Sequence, residues 1–374
     1  MQHKLKVLFP FVGDSVGGSH HSIIELHREL SRNRISSAIL VHQKGPLSSF
    51  LEDIGIDYEF LPIDNFAGET PSVFSIMRYV FKNSFKIRDY INNNNINIVH
   101  GNDLRINLSW SLPTRLTKAS YVWHQRTTMS STYLWRIPNL IVDHFIAISG
   151  YVYSTLPTNI QKSKKSLIIN PFDTSKYYDK KKSRSLISNL YSIPTDDLVI
   201  GYIGRLIKWK NVDFLIKCFA ELRKNYSKNI RLLIAGTGEL EYVSSLKELV
   251  NKSNLNDSVI FAGFNSKPNQ IIAGFDLMVA PSDIEPFGRT LVEAMLQKTP
   301  VMAAQGGGHS EIIQHGLTGL LYNHNDVNDF MAQINKYLSN LNETSIVNRA
   351  YLYSCTNYSS SEHVKHVINI YEQL

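Results

Sequence analysis

The chain has 374 residues, of which 43% are hydrophobic and 19% charged, so it can form two domains with cores of ordinary size. Its two cysteines, Cys218 and Cys355, lack the spacing of a zinc or disulfide framework, which indicates reduced packing residues in a cytoplasmic protein. The apolar run within residues 1–12 is too short for a signal peptide, and no stretch reaches the roughly 18 apolar residues of a membrane-spanning helix.

The formal net charge of +7 is unevenly distributed along the chain. Residues 1–170 hold 18 Lys and Arg against 12 Asp and Glu, whereas residues 171–374 hold 21 against 20. Excess positive charge in the first half suits a negatively charged partner, either an anionic membrane surface or a phosphate-bearing substrate. Solubility alone is the alternative explanation.

The first half begins with a buried strand predicted at Leu5–Phe11, followed by the glycine-containing loop Gly13–Gly18 and a helix from about His20 to Leu30. The loop glycines lack the dinucleotide-binding spacing G-x-G-x-x-G, although they let backbone approach a ligand; a plain tight turn is the alternative. Further strands are predicted at Ser37–Val41, Tyr58–Pro62, Ile96–His100, Tyr121–His124, His144–Ile148 and Leu167–Ile169. Strands that alternate with helices in this way predict a parallel sheet covered on both faces.

A basic amphipathic helix is predicted between Ser75 and Ile91. Aromatic and aliphatic side chains interleave there with four cations, Arg78, Lys82, Lys86 and Arg88. Such a helix can lie on anionic lipid, or it can be a surface helix whose charges are simply solvated.

A polar, charged stretch at residues 171–195 is predicted to be a linker, and a second series of strands follows it. These strands are predicted at Leu198–Gly204, Arg231–Ala235, Ser258–Phe261, Asp276–Ala280 and Pro300–Ala303. The fold class is therefore α/β, with two doubly wound, Rossmann-like parallel-sheet domains facing a central cleft. The predicted domains are residues 1–175 and 176–355, with residues 356–374 forming a helix that packs back on the first domain.

The cleft is expected to be lined by the loops that follow the strands, because ligands of open parallel sheets bind beyond the carboxyl ends of the strands. One such loop leads from Ala280 through Glu285 to a helix that carries Glu293 near its start, and a glycine-rich stretch follows at Gly306–Glu311. Free backbone N–H groups at that helix start favour an anion such as phosphate. The alternative is that Glu293 only complements the helix dipole and Glu285 is a solvated loop residue.

A pair of cations follows the first strand of the second domain. Arg205 and Lys210 lie five residues apart after Gly204, so that they could clamp a pyrophosphate; a surface basic cluster is the alternative. With the pair Glu285 and Glu293 and the glycine-rich loop, this order of motifs resembles a retaining family 4 glycosyltransferase of the GT-B fold. The resemblance covers nearly the whole chain through further matches at Gly17-Gly18, His124, Asn170–Asp173 and Ala235–Gly238.

The resemblance implies a role for each matching residue. Arg205 and Lys210 would bind the donor pyrophosphate and stabilise the leaving nucleotide diphosphate, while Glu285 would hold hydroxyls of the transferred sugar. His124 would contact the sugar near the acceptor, which completes the implied catalytic set. The implied donor-binding residues are Gly17, Gly18, Gly263, Phe264, Phe287, Gly288, Arg289, Thr290, Leu291 and Glu293, with the last at the ribose and Gly263 and Phe264 at the base.

Two residues of the glycine-rich loop are predicted to have structural roles. His309 is predicted to be structural, and Glu311 to fix the loop.

Trp209 and Asn211 depart from the family pattern, in which glycine often follows the lysine, so the backbone path of the loop around Lys210 is open. Glu285 is not predicted to be a nucleophile, because hydrolase carboxylates flank one glycosidic bond, whereas this pair would flank a pyrophosphate.

The expected function is transfer of a hexosyl or N-acetylhexosaminyl group from a nucleotide diphosphate sugar to a lipid-linked, lipopolysaccharide or polysaccharide glycan. A UDP-sugar is favoured as donor and GDP-mannose is the second choice; no metal, other cofactor or nucleic acid is expected. The enzyme would be cytoplasmic or peripheral on the inner face of the plasma membrane. The alternatives are a glucan synthase or small-molecule glycosyltransferase of the same fold, and a non-catalytic two-lobed sugar-binding protein.

Overall fold

The computed structural model describes residues 5–63, 73–129, 138–226, 229–339 and 344–374. The chain forms two compact units, one of Met1–Asp173 with Ser359–Leu374 and the other of Thr174–Tyr358. The predicted boundaries fell after residues 175 and 355. The last helix therefore belongs to the first unit, although it follows the second in sequence.

A parallel sheet of seven strands forms the centre of the first unit. Its strands are β1 (Lys6–Phe11), β2 (Ser36–Val41), β3 (Glu59–Phe60), β4 (Ile98–Gly101), β5 (Ser120–Gln125), β6 (His144–Ala147) and β7 (Lys165–Leu167). Their spatial order is β3-β2-β1-β4-β5-β6-β7. The chain thus fills one side of β1 first and then returns to fill the other, starting with β4.

Helices cover this sheet, and their buried faces explain why the inner strands are almost continuously apolar. They are α1 (Gly18–Arg32), α2 (Pro46–Asp53), α3 (Val73–Asn93), α4 (Leu104–Arg115), α5 (Pro138–Ile141), α6 (Gly150–Ser154) and α15 (Ser360–Gln373). Helix α15 packs beside α1. Val364, Val367 and Ile370 of α15 join the same core cluster as Ile23 and Leu26 of α1.

The second unit repeats this architecture with a parallel sheet of six strands. The strands are β8 (Leu198–Ile203), β9 (Ile230–Ala235), β10 (Val259–Gly263), β11 (Leu277–Ala280), β12 (Val301–Ala304) and β13 (Leu320–Tyr322), in the spatial order β10-β9-β8-β11-β12-β13. The helices are α7 (Lys180–Tyr191), α8 (Val212–Asn225), α9 (Leu240–Lys252), α10 (Pro268–Ile272), α11 (Arg289–Leu296), α12 (His309–Ile312), α13 (Val327–Ser339) and α14 (Ser345–Asn357). The predicted fold class of two Rossmann-like parallel-sheet domains is confirmed.

The predicted linker is wrong in part, because α7 occupies about half of it. The Asp179 side chain caps this helix by accepting a hydrogen bond of 2.8 Å from the backbone N–H of Lys182. Ile187 is completely buried and lies against Gly274, next to α10. The charged composition of this stretch concealed an amphipathic helix whose buried face is narrow.

Two edge strands were also misread. Strand β7 lies at Lys165–Leu167, two residues before its predicted place, because Lys165 and Ser166 carry no apolar signal. Strand β13, a three-residue edge strand, was not predicted. Both cysteines are free, and Cys218 is buried in the core of the second unit. No helix in the described ranges has the length and apolar character that crossing a membrane requires.

Each sheet has a switch point where the direction of strand addition reverses, between β1 and β4 in the first unit and between β8 and β11 in the second. Loops that leave adjacent strands there diverge to opposite faces and open a crevice at the carboxyl edge. The loops after β8 and β11 carry Arg205 with Lys210 and Glu285, respectively. The second switch point is therefore where most of the candidate site residues should be sought.

Truncating a buried residue of α7 should destabilise the second unit. We expect Ile187→Ala to lower the free energy of unfolding by about 2 to 5 kcal/mol, since it removes buried methyl groups and leaves a cavity. Leu190→Ala is the matched control in the same helix, where the side chain is 56% exposed. Equal denaturation midpoints for the two variants would show that α7 is not part of the folded unit.

Candidate functional site

The loop after β8 carries the two predicted cations at the carboxyl edge of the second sheet. Arg205 is exposed, and its carbonyl oxygen accepts a hydrogen bond of 2.9 Å from the Tyr202 hydroxyl. Lys210 ends a short 3-10 turn, Lys208–Lys210. The backbone N–H of Leu206 donates to the carbonyl of Thr237 at 2.9 Å, so this loop runs directly beside the loop after β9.

Two glycines of the predicted Ala235–Gly238 motif make this close approach possible. A Cβ at Gly236 would lie 1.9 Å from the carbonyl oxygen of Gly204, and one at Gly238 would lie 1.8 Å from that of Leu206. Any side chain at these positions would push the two loops apart. The motif therefore supports the loop that carries Arg205 and Lys210.

Lys210 and Glu285, 75 residues apart in sequence, form an ion pair in which Lys210 Nζ donates to Glu285 Oε2. The two side chains are only 17% and 16% exposed. The Trp209 ring centroid lies 4.3 Å from the same Nζ. Since little water reaches the pair, its charge-assisted hydrogen bond is stronger than that of a surface ion pair.

The structure resolves the path of the loop at Asn211, where the family pattern often has glycine. Asn211 adopts the left-handed conformation, with φ 57° and ψ 35°. Glycine enters this region without strain, and asparagine is one of the few other residues that tolerate it. Asn211 thus reproduces the turn after Lys210 that glycine provides in the family pattern.

A loop that sequence reasoning missed, Asn323–Asp326 after β13, supports both parts of the site. The Asn211 amide donates to Asn325 Oδ1 at 2.9 Å, and His324 Nε2 lies 3.5 Å from Asp283 Oδ2. The loop that carries Lys210 and the loop that carries Glu285 therefore both contact the loop Asn323–Asp326. The only signal for it was β13 itself, which is too short to stand out.

The glycine-rich loop lies along the loop that carries Glu285 and holds the backbone of that loop in place. A Cβ at Gly306 would lie 2.4 Å from the carbonyl oxygen of Asp283, and one at Gly308 would lie 2.3 Å from that of Phe287. The backbone N–H of Gly308 donates to the carbonyl of Glu285 at 2.8 Å. The glycines are needed for backbone packing around Glu285.

His309 packs beneath this loop. It is 1% exposed, and its Nδ1 lies 3.3 Å from the carbonyl oxygen of Ala304. Burial lowers the pKa of His309. Its ring fills the space next to Gly288, where a Cβ would come within 2.9 Å of the ring.

The start of α11 presents backbone rather than side chains. Gly288 precedes the helix with φ 105° and has no side chain with which to cap it. Phe287 and Leu291 are buried, 4% and 0% exposed, so they can meet a donor only through their backbone. Arg289 and Glu293 lie one turn apart and pair across 3.4 Å, each side chain 16% exposed.

The loop after β10 holds the two residues predicted to border the base. Gly263 has φ +68° with open space around its Cβ position, and its carbonyl accepts a 2.7 Å hydrogen bond from Gly236. Phe264 is 73% exposed. An exposed aromatic ring at this edge of the sheet is available for stacking.

In the first unit, Gly17 and Gly18 lie where α1 begins, after β1. The backbone N–H of Gly17 donates to His20 Nδ1 at 3.0 Å. Asp14 of the same loop forms a two-pronged ion pair with Arg105 of α4, with contacts of 2.6 and 2.9 Å. Arg105 holds the pKa of Asp14 below its usual value. The loops on both sides of the β1/β4 switch point are thus joined by charge, which the sequence did not reveal.

His124, at the end of β5, lies in a buried polar chain. Its Nδ1 is 3.0 Å from His100 Nε2, and His100 Nδ1 is hydrogen-bonded to the Tyr371 hydroxyl of α15. Burial lowers the pKa of both histidines well below the usual value, so both are neutral. His124 is 0% exposed, and its Nε2 has no hydrogen-bond partner among the described residues. The predicted contact of His124 with a sugar stays a prediction.

The comparisons with known proteins agree with this geometry. Residues 183–351, all in the second unit, match the family model of glycosyl transferases group 1. Over 183 residues the chain is 28% identical to an uncharacterized glycosyltransferase of Methanocaldococcus jannaschii, covering 48% of this chain and 46% of that protein. Over 207 residues it is 25% identical to the poly(ribitol-phosphate) alpha-N-acetylglucosaminyltransferase of Staphylococcus aureus, covering 54% and 39%. The matched regions thus span less than half the length of these curated relatives.

The fold as a whole has solved counterparts. The crystal structure of Anabaena HepE in complex with UDP and glucose matches 99% of this chain and 100% of that chain, with a TM-score of 0.84 and 21% identity. The chain therefore has the GT-B fold, which confirms the fold that the sequence resemblance implied. The match to the model of glycosyl transferases group 1 lies within the second unit and spans less than half of the chain.

The left-handed conformation of Asn211 allows a test of how the loop that carries Arg205 and Lys210 is positioned. Alanine tolerates the left-handed conformation less well than asparagine, because it lacks the short polar side chain, so for Asn211→Ala we expect weaker donor binding, measured as a higher KM for the donor, and lower thermal stability. Asn211→Gly keeps the conformation and removes the side-chain hydrogen bonds to Asn325 and Pro281, so it should retain most of the affinity. Equal losses in the two variants would show that the amide contact, and not the backbone, positions Lys210.

Acid should destabilise the first unit. Burial lowers the pKa of His20, His42 and His144 from 6.5 to about 4. The unfolded chain therefore binds more protons than the folded chain between these pH values, so stability falls as pH drops from about 6.5 towards 4. Between neutral pH and a pH below both pKa values, His20 and His42 should each account for a loss of roughly 3 kcal/mol in the free energy of unfolding.

Urea denaturation at several pH values measures this loss. His144→Gln should flatten part of the slope, whereas His366→Gln, which changes an exposed residue of α15, should not. A stability that is constant from pH 7 to about 4.5 would contradict the assignment of neutral buried histidines.

Proposed function

We propose that the chain is a retaining, metal-independent glycosyltransferase that moves a hexosyl or N-acetylhexosaminyl group from a nucleotide diphosphate sugar to a glycan. One observation carries the proposal. The loops after β8 and β11 bring Arg205, Lys210 and Glu285 to one switch point, where the start of α11 follows within a few residues. This arrangement combines cations for a diphosphate with acceptors for sugar hydroxyls.

The cations would act on the leaving group. When the bond from the sugar to the diphosphate breaks, negative charge grows on the phosphate oxygens. Arg205 offers a planar fork of donors, and Lys210 offers a compact charge whose position Trp209 and Glu285 fix in advance. The backbone N–H groups at the start of α11 add a favourable dipole. Together these groups supply the charge stabilisation for which other transferases use a divalent ion.

Glu285 would bind the transferred sugar rather than carry protons. Lys210 pairs with this carboxylate and fixes its position. A carboxylate has about four lone-pair sites, so one contact from Lys210 leaves acceptor capacity for sugar hydroxyls. Glu293, oriented by Arg289, would accept from the ribose, and Phe264 would stack on the base.

Retention is part of the proposal because of the family resemblance. The acceptor hydroxyl would attack from the face that the diphosphate leaves, and its proton would pass to the departing phosphate oxygen. The new glycosidic bond forms as the old one breaks, so atoms and charge balance without an external base. Arg205 and Lys210 would hold the diphosphate close enough to receive that proton.

For the substrates, the names of similar proteins give support. HepE was crystallised with UDP and glucose, which favours a UDP-sugar over GDP-mannose as donor. The Staphylococcus aureus relative acts, by its name, on poly(ribitol-phosphate). We therefore propose a lipid-linked, lipopolysaccharide or polysaccharide acceptor in bacterial surface glycan synthesis, with a cytoplasmic enzyme peripheral to the inner membrane face. The positive excess of residues 1–170 suits such a location.

Removing either cation should reduce turnover of the donor. We expect Arg205→Ala and Lys210→Ala each to lower kcat/KM for a UDP-sugar about 10- to 150-fold, since a charge-assisted hydrogen bond contributes roughly 1.5 to 3 kcal/mol. Lys208→Ala is the matched control, an exposed lysine of the same loop. Donor hydrolysis or transfer can be followed by release of the nucleoside diphosphate.

The same variants separate binding from folding. Uridine diphosphate should raise the melting temperature of the unchanged protein more than guanosine or adenosine diphosphate does, because a ligand stabilises the native state that binds it. The increase should disappear in Arg205→Ala and persist in Lys208→Ala. If both cation variants keep full turnover, the pyrophosphate site is elsewhere.

A further inference from the structure

Helix α3 exposes a continuous apolar stripe formed by Phe74, Met77, Phe81 and Phe85. These side chains are 77%, 53%, 68% and 65% exposed. They are spaced by three or four residues, so they lie above one another along a single face of the helix. A contiguous line of large exposed apolar side chains indicates a surface that meets a partner.

This stripe does not belong to the core of the first unit. The face that packs inward is made by Val80, Ile87 and Ile91, which are 7%, 0% and 1% exposed. Helix α3 packs on α4, so its position in the unit is fixed. The stripe is a second apolar face on the same helix, turned to solvent.

Basic side chains flank the stripe. At 100° per residue, Arg78, Lys82 and Lys86 form a row along the side of the stripe away from the core. Arg88 continues the line of the stripe three residues after Phe85, with its guanidinium carbon 5.1 Å from the centroid of the Phe85 ring, and it also pairs with Asp89. The helix contains these four cations and one acidic residue, Asp89, so its net charge is +3.

We propose that α3 lies in the plane of an anionic bilayer surface, with its four-residue stripe inserted among the acyl chains and its cations at the lipid phosphates. An amphipathic helix of this kind binds through buried apolar area together with attraction to anionic lipid. This inference deepens the membrane location in the proposed function by naming the surface that makes the contact. It does not depend on the donor chemistry of the second unit.

The charge pattern favours a membrane over two other partners. In a symmetric dimer through this face, the rows of cations on the two copies would be brought close together and would repel. A nucleic acid would satisfy the cations but would leave an aliphatic and aromatic stripe of this length without a counterpart. An anionic bilayer matches both features at the same time.

Vesicle co-sedimentation of the full chain tests this surface. Vesicles of phosphatidylcholine with phosphatidylglycerol should bind the protein, and vesicles of phosphatidylcholine alone should bind it much more weakly. Phe81→Ser with Phe85→Ser should lower binding to the anionic vesicles at least about tenfold, since two large apolar groups no longer leave water. Arg78→Gln with Lys82→Gln should lower it about thirtyfold, since each cation near an anionic surface strengthens binding about fivefold.

Matched controls use positions outside the stripe. Leu190→Ser with Leu352→Ser removes two exposed leucines, 56% and 63% exposed, and Lys181→Gln with Lys182→Gln removes two exposed lysines of α7. Both control pairs should bind vesicles as the unchanged protein does. All variants should hydrolyse a soluble donor at the unchanged rate, so loss of the membrane site is distinguishable from loss of the transferase site.

Several outcomes would overturn the proposal. One is equal binding to neutral and anionic vesicles; another is binding that the stripe variants do not reduce. If light scattering shows a dimer that Phe81→Ser with Phe85→Ser converts to a monomer, a second copy covers the stripe instead. If the unchanged protein binds anionic vesicles but hydrolyses no nucleotide sugar, the proposed function fails while this inference stands.

Discussion

The pairing of β8 with β11 is the constraint on which the candidate site depends. Ile200 and Gly201 of β8 lie opposite Leu277 and Met278 of β11 in a parallel register. A Cβ at Gly201 would lie 2.0 Å from the ring of Phe275, so these strands can pair around that ring only if position 201 has no side chain. Because the strands run in the same direction, their following loops emerge at one edge. This is how Lys210 meets Glu285 across 75 residues of sequence.

Four charged side chains of the candidate site form two ion pairs. Lys210 is matched with Glu285, and Arg289 with Glu293, and all four side chains are about one-sixth exposed. A partly buried charge without a partner would destabilise the fold. Pairing therefore allows charged side chains to lie where little water reaches them. In the proposed function, a diphosphate at this edge would meet cations that are already oriented. The carboxylates would keep acceptor sites for the hydroxyls on either side of it.

The sequence predicted the sheets and the strand ends well because both leave strong local signals. Buried parallel strands are apolar runs, and Glu293 lies near the start of α11, as predicted. The Lys210–Glu285 contact could not be predicted, because it follows from the order of strands in the sheet. Helix α7 was hidden by its charged surface, and the Asn323–Asp326 loop by the shortness of β13. For α3 the mixture of apolar and basic residues was visible, but only packing showed which apolar side chains face solvent.

The first unit also holds a chain of buried polar side chains that carry no charge. At its sheet edge His100, His124 and Tyr371 are fully buried and joined by hydrogen bonds, and burial keeps both histidines neutral. Two hydrogen patterns satisfy this chain: in one His124 Nε2 is a donor, and in the other it is an acceptor. Tyr371 comes from α15, the last helix of the chain, so the C-terminal segment takes part in setting the state of His124. The hydrogen-bonding role of the neutral His124 is therefore set from inside the fold.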